Sequence, residues 1–491
     1  MSLLRLTKES LIYGLSRYIT KFISIFLLPL YTAVLSPEDY GILDLLSTII
    51  LVSTFLIVSG TDTAVGYYFF RKENIEERPV IITSSLFLRI IFSTVAFIVI
   101  LIASSAISNL IFGKDYSLFV IITGITILFQ SLYSFLFDLL RLEFRAWLYT
   151  ILSTVSIVLN ILLTALYVLV FKQGVHGALV AQAIAYGIIF VFTIFYVIKR
   201  YGFTISKKWI KSILSYGFPL IGTGIAIWVL NSTDRYFLAH YVDLSSVGIY
   251  SVGMKLANFL GMIGGALQLA WGPYALGIQY YDNAKKIYSK VFLIFFIINI
   301  VGVFIISIFS IDILKVFTQP NYYAAKAVVP FLCASTVFSS AYFVISIGIN
   351  ITKKLVHTIW ITVIAAVVNI ALNFILTPVF GVLGASFSIM TANLLIVWLT
   401  FRISQKYYFV PYNYTGILML GIPAAVIIAV CYYFDLALLY RIILSFLYLT
   451  FTTIFVYRSF KDTDDFKKLL KKISNIKQKK AEQPDTADVN L

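Results

Sequence analysis

Two cations four residues apart, Arg17 and Lys21, stand inside an apolar run from Ser10 to Gly41. The run is long enough to cross a bilayer, which takes roughly 20 residues. At that spacing both side chains share one helix face, and Ser10, Gly14 and Ser24 continue the polar stripe. A cation inside a spanning helix costs about 2.5–3.5 kcal/mol, so two of them ask for a reason. One reading is snorkelling with local ion pairing, since Arg17 lies only a turn or two inside the end of the run. The other is a cationic face lining a polar cleft, which suits Lys21 better. A cleft of that kind attracts an anion such as phosphate or pyrophosphate, to which Arg gives bidentate contacts and Lys a point charge.

Further along, Asn231-Ser232-Thr233-Asp234-Arg235 closes one apolar run, and the next contains Lys255 and Asn258 on one face. If the intervening turn is centred near residues 244 and 245, Asp234 and Lys255 lie at equal depth and pair, leaving Arg235 to face the cleft. A structural ion pair with Arg235 at the headgroups is the competing reading. Arg89 is a further intramembrane cation, and Asp44, Asp62 and Asp138 are the remaining acids of these runs. Catalysis finds little to stand on, and no catalytic residue is assigned. His176, His240 and His357 lie at separate run ends without metal-ligand spacing, and no Gly-rich phosphate loop is present. The expectation is a protein that is not an enzyme, with no metal and no organic cofactor.

The elements that must position these residues are membrane helices. Of 491 residues, 60% are hydrophobic and 12% charged, against roughly 25% charged in soluble domains. Fourteen apolar runs follow one another on short connections. The net charge of +16 comes from Lys and Arg in alternate connections, which reads as topology rather than nucleic-acid binding. One side carries 28 of these cations and the other 6, so both termini are expected in the cytoplasm. Tyr40-Gly41-Ile42 and Val247-Gly248-Ile249 lie 207 residues apart, as do Gly174-Val175-His176-Gly177-Ala178 and Gly381-Val382-Leu383-Gly384-Ala385. Six spans separate the members of each pair, which implies two six-helix lobes of the same orientation with a ligand held between them. The expected divisions are 1–205 for the first lobe, 206–408 for the second, 409–457 for two extra spans, and 458–491 for a cytoplasmic tail. In the tail, Phe466, Leu469, Leu470 and Ile473 alternate with lysines as on a basic amphipathic helix lying on the membrane. Pro29 and Pro219 are the expected hinges.

Leu28-Pro29-Leu30-Tyr31-Thr32 and Leu35-Ser36-Pro37-Glu38-Asp39-Tyr40-Gly41-Ile42-Leu43-Asp44-Leu45 resemble the opening of the Wzx-type oligosaccharide flippases. These belong to the multidrug/oligosaccharidyl-lipid/polysaccharide exporter superfamily. Gly60-Thr61-Asp62-Thr63-Ala64 with Tyr67-Tyr68 is similar to that family's second-span ending, although Gly66 stands where Arg is frequent. Leu140-Arg141 with Arg145-Ala146, and Asp234-Arg235 followed by Val247-Gly248-Ile249-Tyr250-Ser251, also match, and the resemblance covers residues 8 to 455. It implies an all-α integral membrane protein of 14 transmembrane helices: a V of two pseudo-symmetric six-helix lobes working by alternating access, plus two C-terminal helices that form a groove for a lipid tail. It implies transfer of undecaprenyl-pyrophosphate-linked oligosaccharide across the bacterial inner membrane, for O-antigen, capsule or exopolysaccharide synthesis. Arg17, Lys21, Arg89, Arg235 and Lys255 would hold the pyrophosphate and sugar, with only Arg235 on a motif position. An H⁺ or Na⁺ gradient would act through Asp234, Asp44 or Asp62. Partners would be the lipid-linked substrate, membrane lipids, and polysaccharide polymerase and assembly proteins. A flippase for lipid II or for a teichoic or teichuronic acid shares the architecture. An ion-coupled drug or cation antiporter would need a carboxylate in the first span, which has none.

Overall fold

The computed structural model describes residues 26–461 except Ser59, Pro219, Leu220 and Leu355, together with Gly14, Ser16 and Ile23. Among the described residues every regular element is helical. In lipid each backbone N–H and C=O must be satisfied within its own segment or in a closed barrel, and continuous apolar runs of about 20 residues take the first course. Among the described residues twelve helices are long and apolar enough to cross a membrane, and they coincide with twelve of the fourteen expected spans. Most of the first expected span lies outside the described residues. The seventh is a helix, Ile221–Tyr241, that is not among the twelve; Asn231, Asp234, Arg235 and His240 make it too polar.

The chain divides into two compact units, Met1–Asn413 and Tyr414–Leu491. In the first, α1 (Leu27–Val34) leads into α2 (Pro37–Val58), α3 (Thr61–Phe69), α4 (Arg78–Phe112), α5 (Ser117–Leu142), α6 (Ala146–Thr164) and α7 (Gly174–Tyr201). Next comes the short α8 (Lys207–Gly217), then α9 (Ile221–Tyr241), α10 (Leu244–Gly277), α11 (Ala284–Ile308), α12 (Ser310–Phe317) and α13 (Val329–Ile345). A single turn, α14 (Ile347–Ile351), precedes α15 (Val356–Phe380) and α16 (Val382–Tyr407). In the second unit, α17 (Tyr414–Tyr433) and α18 (Leu438–Phe460) form a hairpin, fastened where Tyr448 Oη donates to the Leu420 carbonyl at 3.1 Å. The expected amphipathic helix of the tail lies outside the described residues.

The offset of 207 found in the sequence recurs in the local structure. Ser36 caps α2: its Oγ accepts from Asp39 N–H at 3.1 Å while Asp39 Oδ2 accepts from Ser36 N–H at 3.1 Å. Asp243, 207 residues on, caps α10 by accepting from Ser246 N–H at 2.6 Å. Gly174 and Gly381, which open α7 and precede α16, have φ of +56° and +55°, a backbone that favours glycine. The second glycine of each motif serves a different end. A Cβ on Gly177 would lie 3.0 Å from the Tyr167 carbonyl oxygen, and one on Gly384 would lie 2.3 Å from that of Leu376. Each lets its helix lean on the chain just before it.

The second expected span is broken. Gly60, at φ +66°, separates α2 from α3. Aspartate at position 62 therefore falls in the first turn of α3, where it complements the helix dipole.

Candidate functional site

The site is organised by the crossing of α2 and α10. A Cβ on Gly41 would lie 2.0 Å from the Leu244 carbonyl oxygen, and one on Gly248 would lie 2.0 Å from that of Pro37. Gly41 and Gly248 are 207 apart, and so are Pro37 and Leu244, so the two helices meet in matched contacts about a local pseudo-two-fold axis. Only glycine permits that approach. Other bonds close the same end. Thr32 Oγ1 on α1 donates to the Phe317 carbonyl of α12 at 3.0 Å, and Tyr322 Oη donates to the Leu35 carbonyl at 2.9 Å.

One turn along, the axis passes between Asp44 and Ser251, again 207 apart, whose Oγ donates to Asp44 Oδ2 at 2.5 Å. Arg235 of α9 donates from Nε to the same oxygen in an ion pair, gives Nη1 to the Asn231 carbonyl at 2.7 Å, and lies 5.6 Å from the Tyr250 ring centroid. Arg235 is thus occupied rather than free to face a cleft. Asp234 does not pair with Lys255 either. It is fully buried and accepts from Tyr250 Oη at 2.8 Å, Asn373 Nδ2 at 2.7 Å and Asn369 Nδ2 at 3.2 Å. The reason is geometric. Successive residues point about 100° apart on a helix, so Arg235 reaches α2 while Asp234 reaches α15 and, on the next helix of its own hairpin, Tyr250 rather than Lys255.

Beside this network lies a cavity of about 300 Å³ bounded by α1, α2, α5, α6, α7 and α10. Tyr31, Tyr133, Tyr186, Asn160 and Gln182 line it, together with Asp44 and Lys255. Lys255 is exposed, and among the described residues no hydrogen bond or ion pair reaches it. The cavity therefore presents tyrosine rings, two carboxamides and one available ammonium, while its carboxylate is engaged by Arg235.

The other expected residues are dispersed. Arg89 is 1% exposed and lies inside the first half of the chain, donating to the Ser131 carbonyl at 3.1 Å and Ser134 Oγ at 3.0 Å and sitting 3.6 Å from Asp138. Asp138 also pairs with Arg141. Buried Arg89 holds α4 and α5 together and offers no open face itself. Half-buried Asp62 lies beside it on α3, its Oδ1 accepting from Thr63 Oγ1 at 3.5 Å. Pro29 is the third residue of α1, where an N–H would have no intrahelical acceptor in any case. Arg17, Lys21 and Pro219 lie outside the described residues. Nearby Ser16 is described, buried, with its Oγ 3.1 Å from Ser153 Oγ of α6.

Sequence reasoning passed over Tyr250, Asn369 and Asn373 around Asp234, and Asn160 and Gln182 in the cavity. A signal existed. Uncharged amides inside apolar spans are costly unless paired and mark a polar face much as charges do.

Residues 6–279 match the model of a family described as polysaccharide biosynthesis protein, and residues 219–375 match the MatE family model. A protein of the Lsg locus of Haemophilus influenzae is 23% identical over 58% of this chain and 68% of its own. An uncharacterized membrane protein of Methanocaldococcus jannaschii is 28% identical over 42% of each chain. Among solved structures, the lipid II flippase MurJ in an inward closed conformation superposes with a TM-score of 0.73 at 15% identity, covering 91% of this chain and 99% of that one. An inward-facing multidrug resistance MATE family transporter of the MOP superfamily gives 0.66 at 17% identity, covering 80% and 97%. Those identities speak for the fold, whereas the first family match takes in more than half of the sequence. The chain is a multi-pass membrane protein that belongs to the polysaccharide biosynthesis protein family.

Proposed function

We propose that this protein is a flippase that moves undecaprenyl-pyrophosphate-linked oligosaccharide from the cytoplasmic to the outer leaflet of a bacterial inner membrane for surface polysaccharide synthesis. The observation that carries the reading is the cavity with Lys255. Tyrosine rings suit the C–H faces of sugars, the amides of Asn160 and Gln182 suit their hydroxyls, and an unpaired ammonium suits a phosphate. Because Asp44 is paired with Arg235, Lys255 sets the charge that an entering ligand meets among the described residues. Arg17 and Lys21 are assigned to the same cleft.

The mechanism is alternating access, with both termini in the cytoplasm. The α2–α10 crossing is then the outer closure, and its matched glycines let the halves seal without an intervening side chain. Opening outward requires parting Asp44 from Ser251 and Arg235. An H⁺ or Na⁺ ion bound at Asp44 competes with Arg235 for the carboxylate, which links a gradient to that opening. Polysaccharide polymerase and assembly proteins are the partners on the outer side.

A second reading, an ion-coupled cation antiporter, draws support from the MatE match and from Asp44 on the cavity wall. Reconstituted vesicles separate the two. A labelled polyprenyl-pyrophosphate oligosaccharide is loaded inside, and its exposure to an external glycosidase is followed. The flippase reading expects protein-dependent exposure that slows about tenfold in Lys255→Ala, the loss of one charge-assisted contact of about 1.4 kcal/mol. Ion-driven efflux of an organic cation, abolished in Asp44→Asn and without any glycan exposure, would give the protein to the antiporters. Exposure of lipid II or a teichoic acid precursor in preference to other glycans would move it to those flippases.

A further inference from the structure

Helix α8 takes no part in the cavity, yet it is firmly placed. Trp209 and Ile213 are buried against Ala64 and Val65 of α3 and Ile81 and Leu88 of α4. Glu77, just before α4, accepts from Lys208 Nζ at 3.1 and 3.2 Å and from Trp209 Nε1. The Lys208 and Trp209 donors hold its carboxyl below the usual carboxylate range. So one lysine of α8 is used as an anchor. Lys207 and Lys211 are not: both are exposed, and among the described residues neither has a hydrogen bond or ion pair. They lie four apart on one face.

Next to that face run two apolar recesses that share Phe92, Leu214 and Phe218. One, of about 730 Å³, is bordered by Lys207 and Lys211. The other, of about 420 Å³, continues between Leu56 of α2, Val95 and Val99 of α4 and Ile221 of α9. Its walls are open to lipid: Val95 is 52% exposed, Val99 57% and Phe218 71%. Together they make a groove that is apolar along its length and cationic at one end. Its complement is a molecule with a long apolar chain and an anionic head.

Membrane phospholipids and polyprenyl pyrophosphates both fit that description, and the course of α2 favours the second. Asp44, Ser47 and Ile50 of this helix line the cavity, while Ser53, Leu56 and Ile57 line the groove. Ile50 and Ser53 are about 4.5 Å apart along the axis, so groove and cavity are consecutive stretches of one helix. We propose that the groove is the loading site for the polyprenyl chain of the substrate, with the pyrophosphate resting on Lys207 and Lys211 before it passes along α2 to the cavity. The inference rests on the flippase reading, and it adds where the lipid tail lies when the head group first engages.

The test uses the full chain in vesicles with a polyprenyl-pyrophosphate oligosaccharide that carries a diazirine in its first isoprene units. Photolabelled peptides are mapped by mass spectrometry, and glycosidase exposure is measured on the same vesicles. Label is expected within 92–100 and 214–218, falling about tenfold in Val95→Trp, which fills the groove from its lipid-open side and so spares the fold. Phe218→Ala, which widens the groove, is the second variant. Lys207→Gln with Lys211→Gln is expected to raise the half-saturating substrate concentration about tenfold at an unchanged maximal rate. Label that phosphatidylglycerol displaces as well as unlabelled substrate does marks an ordinary phospholipid site and overturns the proposal. Wild-type flipping that both groove variants leave intact, with label elsewhere, overturns the loading site and leaves the flippase standing. Absence of flipping by the wild type, even with the groove labelled, overturns the flippase reading and the loading role with it.

Discussion

Helices α2 and α10 begin 207 residues apart, at Pro37 and Leu244, and begin alike: each has a capped N-terminus and, four residues in, a glycine pressed on the other's first carbonyl. From there they diverge. Asp44 on α2 faces its counterpart Ser251 on α10. One turn further, Thr48 on α2 is 5% exposed with its hydroxyl 2.6 Å from that of Tyr236, whereas its counterpart on α10 is the exposed, cavity-lining Lys255. The comparison separates two demands on a repeated element. Close packing at the axis constrains both copies equally, so both keep glycine. Charge a turn away constrains their sum, so an acid on one copy needs only a donor on the other. The end is symmetric in shape and asymmetric in chemistry.

The largest effect should come from breaking the asymmetric part. Arg235→Ala leaves the Asp44 carboxylate, whose side chain is 17% exposed, with Ser251 as its remaining close donor among the described residues. Removing one partner of a buried ion pair costs about 3–5 kcal/mol, whereas removing both costs less because no charge is stranded. Thermal unfolding of Arg235→Ala, Asp44→Ala and the double variant should therefore give a double loss smaller than the sum. Additive losses would mean that the pair is not coupled.

The symmetric part should break with a smaller cost. In Gly41→Ala or Gly248→Ala the new Cβ meets a carbonyl oxygen at 2.0 Å, and relief by separating the helices costs about 1–3 kcal/mol in lost packing. Gly272→Ala on the same α10, with nothing within 4 Å, should be neutral or stabilising by up to about 1 kcal/mol, the helix propensity of Ala over Gly. The Gly41 and Gly248 changes should also be less than additive, since one separation relieves both clashes. Equal unfolding temperatures for the Gly272 and Gly248 variants would remove the close crossing from the account.

The matched parts of this arrangement were legible in the sequence because they rest on backbone demands that only particular residues meet. Gly41, Gly248, Gly174 and Gly381 announced the offset, and each serves a close approach or a left-handed turn. The approximate centres of twelve spans came from hydropathy alone. What stayed hidden was where the axis runs. An offset of 207 says which residues are equivalent and nothing about which of them meet, so Asp44 and Ser251 went unpaired in the reading. Asp234 and Arg235 were misjudged for a related reason. Sequence neighbours suggested Lys255 as the partner of Asp234 and an open cleft for Arg235, whereas the hairpin supplies Tyr250 to Asp234, and Asp44, Asn369 and Asn373 come from helices brought in by tertiary packing. The amides of the cavity, Asn160 and Gln182, carry no charge, so charge placement does not disclose them.

The smallest effect on stability is expected where the two helices differ most in exposure, at Lys255. Lys255→Thr gives α10 the residue that α2 has at the equivalent position. Because the lysine is exposed and unpaired among the described residues, its loss should change stability by no more than about 0.5 kcal/mol. Ligand handling should respond instead. If the ammonium meets the phosphate of an entering substrate, the half-saturating concentration for flipping should rise about tenfold, and the dependence of that concentration on ionic strength should weaken as one charge-assisted contact is lost. A change in unfolding temperature as large as that of Gly248→Ala would place Lys255 among the structural residues of the crossing. An unchanged salt dependence would remove it from contact with the anion. Only a stable protein with a weakened, less salt-sensitive substrate response keeps the asymmetry functional rather than incidental.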